Sequence, residues 1–184
     1  MDDQQLLARI RQDSPHAFDD VFRAYYPSLV GLAESIVQQR ATAEDIAQDV
    51  LIGLWRRRHD LTIETSLRAY LFRATRNRAL NRIRDERVRR DAEPHIAASA
   101  LRPPPTDAAA VQSEIEAALR AAVQTLPPRC REVFELSRVH GLAYAEIADV
   151  LGISVKTVEN QMGKALRILR EQLAPWLPEP RTRR

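Results

Sequence analysis

Between positions 154 and 164 the chain sets Ser154, Lys156, Thr157, Asn160, Gln161 and Lys164 at intervals that return to one broad side of a helix. Asparagine and glutamine carboxamides can make paired hydrogen bonds to base edges, while lysine, threonine and serine hold phosphates. The chemistry on offer is recognition of duplex DNA, not bond making. On an arbitrary helix such a set is more often a solvated polar face, so the surrounding elements must decide.

A second concentration lies earlier in the chain. Nine arginines fall between Ser66 and Arg90 against only Asp85 and Glu86, a density that suits a polyanion better than a solubilising face. Within it Arg73, Arg76, Asn77, Asn81 and Arg84 supply charge and amide donors at helical spacing. Tyr70 and Phe72, in the same stretch, suit core packing. Catalytic and metal chemistry find no material: His16, His59, His95 and His140 are scattered, and no Ser/His/Asp arrangement can be argued. The single cysteine, Cys130, excludes an internal disulfide and sits four residues after Leu126, where it packs as a small apolar residue. We therefore expect no enzyme activity, no cofactor and no small-molecule substrate.

The elements that would position these residues are helical. Tyr144 to Leu151 reads as a short helix, Gly152-Ile153-Ser154 as a tight turn and Val155 to about Leu173 as a second helix. Gly152 falls where the first helix must end left-handed, and Ser154 where the second needs an N-cap. Val155, Val158, Met162, Ala165, Leu166 and Leu169 form the expected inner stripe, leaving the DNA-facing set outside. Ala143 stands at the first helix's N-cap, a poor choice that Glu146 can offset by bonding back to the backbone. Helix, glycine turn and capped helix together favour the helix-turn-helix reading over a bland polar face.

In the first half, Ser14-Pro15 marks a helix start, followed by Phe18, Val21, Phe22, Tyr25, Tyr26, Leu29, Leu32, Ala33, Ile36 and Val37 at core spacing. Thr42 is the expected cap of a next helix bearing Ile46, Val50 and Leu54. A further helix starts near Ser66, with Leu67, Tyr70, Leu71, Ala74, Ala79, Leu80 and Ile83 inward. Five glycines and the lack of apolar alternation predict almost no strand. The fold class expected is all-α: two small helical domains, about 1–90 and 111–174, joined by a flexible linker over 91–110 that carries Pro103-Pro104-Pro105, with a basic tail at 175–184. Fully extended, such a linker reaches roughly 66–72 Å, so the two halves can act far apart. No apolar run approaches a membrane span and the N-terminus is unlike a secretory signal, which makes a cytoplasmic location the expectation.

The segments Leu126-Pro127-Pro128-Arg129, Gly141 to Ala148 and Leu151 to Glu159 resemble the promoter-reading domain of bacterial RNA polymerase sigma factors, of the extracytoplasmic-function (ECF) group. Ala43 to Trp55 is similar to that family's polymerase-binding helix, and Leu67 to Asn81 to its minus-ten helix. The resemblance implies a factor that binds core RNA polymerase and directs it to promoter DNA through two elements. It implies polymerase contacts at Glu44, Asp45, Asp49 and Trp55. It implies minus-ten contacts at Tyr70, Arg73, Arg76, Asn77, Asn81 and Arg84, with an unstacked base held in the preceding loop, 60–66. The set from Ser154 to Lys164 would read the minus-thirty-five element, and a membrane-anchored anti-sigma protein is a candidate further partner. The loop from Leu61 to Ser66 departs from the Gly-containing, aromatic-ended form common in the group and looks closer to that of iron-uptake-type members. Two other readings stay open here. A response-regulator-type activator would need a strand-containing receiver domain, which the first half does not suggest; an RNA-binding or sequestering module would use the arginine stripe on RNA.

Overall fold

Among the residues described by the computed structural model, 3–63, 65–92 and 110–176, the chain forms α1 (Asp3–Arg11), α2 (Pro15–Val37), α3 (Arg40–Arg56) and α4 (Leu67–Ala92). After the stretch at 93–109 follow α5 (Ala110–Thr125), α6 (Pro128–Arg138), α7 (Tyr144–Leu151), α8 (Val155–Gln172) and one 3-10 turn at Ala174–Trp176. No strand occurs among the described residues. The fold is all-helical with two helical domains, as expected. The expected proline-bearing linker and most of the basic tail lie outside the described residues.

Helix α1 was not anticipated. Its two buried side chains, Leu6 and Ile10, make one short apolar stripe, and Asp3 at its start serves a different helix. Asp3 accepts from the Arg68 backbone N–H at 3.1 Å and from the Tyr25 hydroxyl, so a carboxylate caps the start of α4. Burial, and then the neighbouring Asp3 carboxylate, push the Tyr25 phenol well above its usual range. The helix from Pro15 begins as predicted, although the Ser14 side chain makes no capping bond. Thr42 is not a cap. Helix α3 starts earlier, at Arg40 after Gln39, and Thr42 is buried one turn inside, donating to the Gln39 side-chain oxygen at 2.6 Å.

Ser66 does cap α4, accepting from the Ala69 N–H at 3.0 Å. Leu67, Ala69, Leu71, Phe72, Thr75 and Ala79 are buried, but the helix then runs past the core, so Leu80 and Ile83, expected inward, are 42% and 40% exposed. In the C-terminal domain Gly152 closes α7 at φ +64° and Ser154 caps α8, accepting from the Thr157 N–H at 3.1 Å. Glu146 accepts from the Ala143 N–H at 2.9 Å, the back-bond that the alanine cap requires. The inner stripe of α8 is narrower than expected: Val158, Met162, Ala165 and Leu169 are buried, whereas Val155 and Leu166 stand out in solvent. Val155 is the first helical residue, ahead of the packed turns, and Leu166 is carried off the seam by its place beside Ala165.

Two cores result. Ala122, Leu126, Cys130, Ala165 and Leu169 close a small one within the C-terminal domain. The larger passes from Leu29, Leu51 and Phe72 of the first domain into Leu136, Leu142, Ile147 and Met162 of the second, with α4 lying against α7. The two domains are thus docked on each other, an arrangement that the expectation of tethered units acting apart did not contain. No helix among the described residues is long and apolar enough to cross a membrane.

Candidate nucleic-acid interface

Helix α8 presents its outer face without obstruction. Lys156, Asn160 and Lys164 are exposed, and Thr157 and Gln161 half-buried. Ser154, Lys156, Thr157 and Gln161 each have a neighbour that holds them. Ser154 and Thr157 share a hydroxyl contact of 2.9 Å at the helix start, Lys156 pairs with Glu159 at 3.1 Å, and Gln161 accepts from the buried Cys130 thiol at 3.0 Å. That bond takes one of the two acceptor sites of the Gln161 carboxamide oxygen and leaves its N–H donors to other partners. Gly163, between Asn160 and Lys164, leaves open space where a side chain would stand, so another backbone or a phosphate can come close there.

The expected downstream set does not share one face. Tyr70, Arg73 and Asn77 line an open cleft of about 460 Å³ together with Arg57, Thr62, Ile63, Thr65 and Ser66, which places the loop before α4 opposite the helix. Tyr70 is half-buried and accepts from Arg57 at 2.8 Å, while Phe72 is fully buried and unavailable to a base. Asn81 lies further along, beside Asp45, Asp49 and Arg78 on the side facing α3. Arg84 is exposed, four ångströms (4.0 Å) from Asp85. Arg76 points to another neighbour altogether, pairing with Glu132 of α6 at 2.6 Å with only 15% of its side chain exposed.

Four polar contacts tie this region to the C-terminal domain. Arg73 pairs with Asp149 at 3.0 Å, Arg76 with Glu132, Ser66 donates to Glu146 at 2.6 Å, and Arg68 donates to the His140 carbonyl. His140 itself packs edge-on to Phe72, 5.3 Å between ring centres. Sequence reasoning missed Glu132 and Asp149, and the contact of Glu146 with Ser66 beyond its local capping role, because nothing local marks an acid whose partner lies more than fifty residues away.

On α3 the expected polymerase contacts are spread over the outer surface. Asp45 is exposed, Glu44 pairs with Arg40 at 2.7 Å, and Asp49 pairs with Arg78 of α4 at 2.8 Å. Both pairs are open to solvent and so hold their carboxylates weakly. Trp55 is half-buried, its ring 5.4 Å from Phe18 and under the Arg58 guanidinium at 4.3 Å. Among the described residues no group of three or more acids, histidines or cysteines could hold a metal ion.

A helix-turn-helix with an open amide- and lysine-bearing second helix, joined to a helical domain with an arginine-lined cleft, defines a two-part DNA-binding protein. Comparison with known proteins carries this further. Residues 21–89 match the model of sigma-70 region 2 and residues 116–169 that of sigma-70 region 4. The chain belongs to the ECF-type RNA polymerase sigma factors, non-enzymatic initiation factors that bind core RNA polymerase and promoter DNA and direct promoter-specific transcription. It is 27% identical to the RNA polymerase sigma-H factor of Pseudomonas aeruginosa, over 96% of each chain. It is 25% identical to the ECF sigma factor SigW of Bacillus subtilis, over 91% of this chain and 94% of that one. The structure of CnrH in complex with the cytosolic domain of CnrY superposes with a TM-score of 0.62 at 28% identity, covering 94% of this chain and 97% of CnrH.

Proposed function

We propose a division of labour within this sigma factor, residue by residue. The surface of α8 bearing Ser154, Lys156, Thr157, Asn160, Gln161 and Lys164 reads the upstream, minus-thirty-five element, entering the major groove by its N-terminal half. The cleft between α4 and the preceding loop takes a base from the melted minus-ten element, with Tyr70, Arg73 and Asn77 at the cleft and Arg76, Asn81 and Arg84 along the adjoining strand path. Pulling a base from the stack costs a few kcal/mol, which positive charge and a fitted pocket offset. Glu44, Asp45, Asp49 and Trp55 face a basic surface of core polymerase. The domains divide at about 1–90 and 111–174, with 91–110 passing between them.

The observation that carries this reading is the contrast across α8: a buried apolar stripe on one side and exposed Asn160 and Lys164 on the other, behind a left-handed Gly152 turn. A cytoplasmic location follows from the partner, and a membrane-anchored anti-sigma protein is the regulator we infer, by similarity to CnrH bound to CnrY. The test is initiation by reconstituted polymerase on promoters selected from random DNA. Asn160→Ala and Gln161→Ala should weaken binding at the upstream element in a sequence-dependent way, and Arg76→Ala at the downstream one. Equal loss on every DNA sequence would exclude base reading by these residues.

A further inference from the structure

The connection between α3 and α4 forms one wall of the cleft through Thr62, Ile63 and Thr65, yet over 58–66 it has no helix or strand among the described residues. Its position is set from the start of the chain. Leu6 and Ile10 bury α1 against the core of the first domain, and three polar contacts then reach from α1 and the turn after it to the connection. At the near end the Asp13 carboxylate accepts from the Arg58 guanidinium and lies 3.2 Å from Nε2 of His59. In the middle Arg11 donates to the Leu61 carbonyl at 2.6 Å. At the far end, where α4 begins, Asp3 accepts from the Arg68 backbone N–H at 3.1 Å. Arg58 is itself anchored, donating to the Trp55 carbonyl at 2.8 Å and lying over the Trp55 ring. Asp13 makes its contacts from a left-handed backbone, φ +59°, which aspartate tolerates better than most residues.

Magnitudes separate positioning from stability here. Arg11, Asp13 and His59 are exposed, and exposed ion pairs contribute little to global stability, so the buried Leu6 and Ile10 are what hold α1 in place. A base-reading site, however, must keep its groups within roughly 0.5 Å of the productive geometry, and a loop reaches that only when its backbone is tied from outside. We infer that Arg11 and Asp13 are positioning residues for recognition of the downstream element. They lie outside the cleft lining, but they fix the Leu61 carbonyl and the start of the connection, so that Thr62 and Ile63 stand across the cleft from Tyr70 and Asn77. A connection already in place takes up the correct base without an ordering cost; once released, it bears that cost for every base and loses the difference between them. Discrimination at the downstream element then depends on residues that precede the stretch matched to sigma-70 region 2, which begins at residue 21. This inference rests on the assignment of the cleft to the downstream element.

The experiment compares full-length variants bound to core polymerase, by initiation from a panel of promoters in which each base of the downstream element, and separately of the upstream one, is replaced in turn. Asp13→Gly removes the carboxylate and keeps the left-handed backbone accessible. Arg11→Met removes the donor and keeps the aliphatic stem, and it serves alone if the glycine variant folds poorly. Each should flatten the downstream preference several-fold and leave the upstream profile as in the parent, because nothing in α8 has changed. Asp13→Asn, which retains an acceptor oxygen and tolerates the same backbone, should keep most of the preference. The control Asp20→Ala removes a 3.0 Å pair with Arg9 that ties α1 to α2 and not to the connection, and should alter neither profile. An unaltered downstream profile in either variant that folds overturns the proposal, as does an equal loss at both elements, which a merely weakened fold would give. So does a control as flat as the variants, or an asparagine as flat as the glycine. The cleft assignment is tested by Asn77→Ala: if the downstream profile survives that change, the assignment fails and the proposal with it, whereas a response to Asn77→Ala without one to Asp13→Gly or Arg11→Met sinks the proposal alone.

Discussion

The fully buried Cys130 thiol donates to the Gln161 side-chain oxygen at 3.0 Å, so a residue of α6 sets the orientation of an amide on the DNA-facing side of α8. With its oxygen partly engaged by the thiol, Gln161 has its N–H donors for an acceptor on a base edge, such as guanine O6 or N7 or thymine O4, more readily than for the paired donor and acceptor of adenine. Cys130→Ala removes the bond and frees the amide to rotate. Its expected effects are a stability loss of about 1 kcal/mol and a broadened preference at one upstream base pair. Cys130→Ser keeps a donor in place and should keep the preference. Binding to a panel of singly substituted upstream elements measures this, and matching profiles for the alanine variant and the parent would show that the bond does not orient Gln161.

Two glycines of the C-terminal domain should respond oppositely to alanine. Gly152 holds φ +64°, and no atom lies within 4 Å of a Cβ placed there, so Gly152→Ala meets only the left-handed backbone penalty of roughly 1–2 kcal/mol. Gly163 is helical and faces open space, and there alanine should stabilise by about 0.5–1 kcal/mol. Thermal denaturation gives both signs. If α8 lies deep in the groove, Gly163→Ala should also weaken upstream binding despite its greater stability, because the methyl fills the space that lets DNA approach.

What the sequence disclosed and what it withheld follow from range. Gly152, Ser154 and Glu146 act within one turn of where they stand, so the helix-turn-helix was legible down to its caps. The inward positions of α4 were legible as far as Ala79, where the partner elements end; Leu80 and Ile83 keep the period but have nothing to pack on. Thr42 misled because a threonine before an apolar run is as good a cap by type as by place, and only the backbone shows that the helix already started at Arg40. The separation of Arg76, paired with Glu132, from Arg73 and Asn77 at the cleft depends on how α6 and α7 dock on α4, which no local pattern encodes.

Thr75 occupies the middle of α4 with no exposure, and its hydroxyl has no hydrogen-bond partner among the described residues. A buried hydroxyl left unsatisfied costs about 1–3 kcal/mol, and valine has nearly the same shape without it. Thr75→Val should therefore leave the fold unchanged and raise stability by about 1 kcal/mol, read as a higher midpoint in urea with an unaltered slope. A lower midpoint would mean that the hydroxyl is satisfied in solution.

Acid should loosen the contact between the domains through His140. Burial, and then the adjacent Arg68 guanidinium, hold this imidazole below its usual value of 6.5. The groups around it are the Phe72 ring, Arg68 on its carbonyl, the backbone of Gly31 and the Glu135 carbonyl, which accepts its N–H; the half-buried Glu135 carboxyl is itself pushed upward by burial. Above pH 6.5 His140 is neutral in folded and unfolded chains alike, and its packing contributes in full. As pH falls from there toward the lower folded value, the unfolded chain takes up a proton that the folded one refuses, and stability declines. Its loss is complete only below the folded value. Thermal midpoints should drop across this window in the parent chain and drop less in His140→Asn, which cannot titrate. The Glu135 contribution runs the other way, since a raised carboxyl favours the folded state at low pH, and it is common to both chains, so their difference isolates the imidazole. If the docking of the domains depends on His140 as α4 against α7 suggests, the scattering radius of the free chain should grow over the same window before the helices melt. A parent and variant that lose stability in parallel would place the acid response elsewhere.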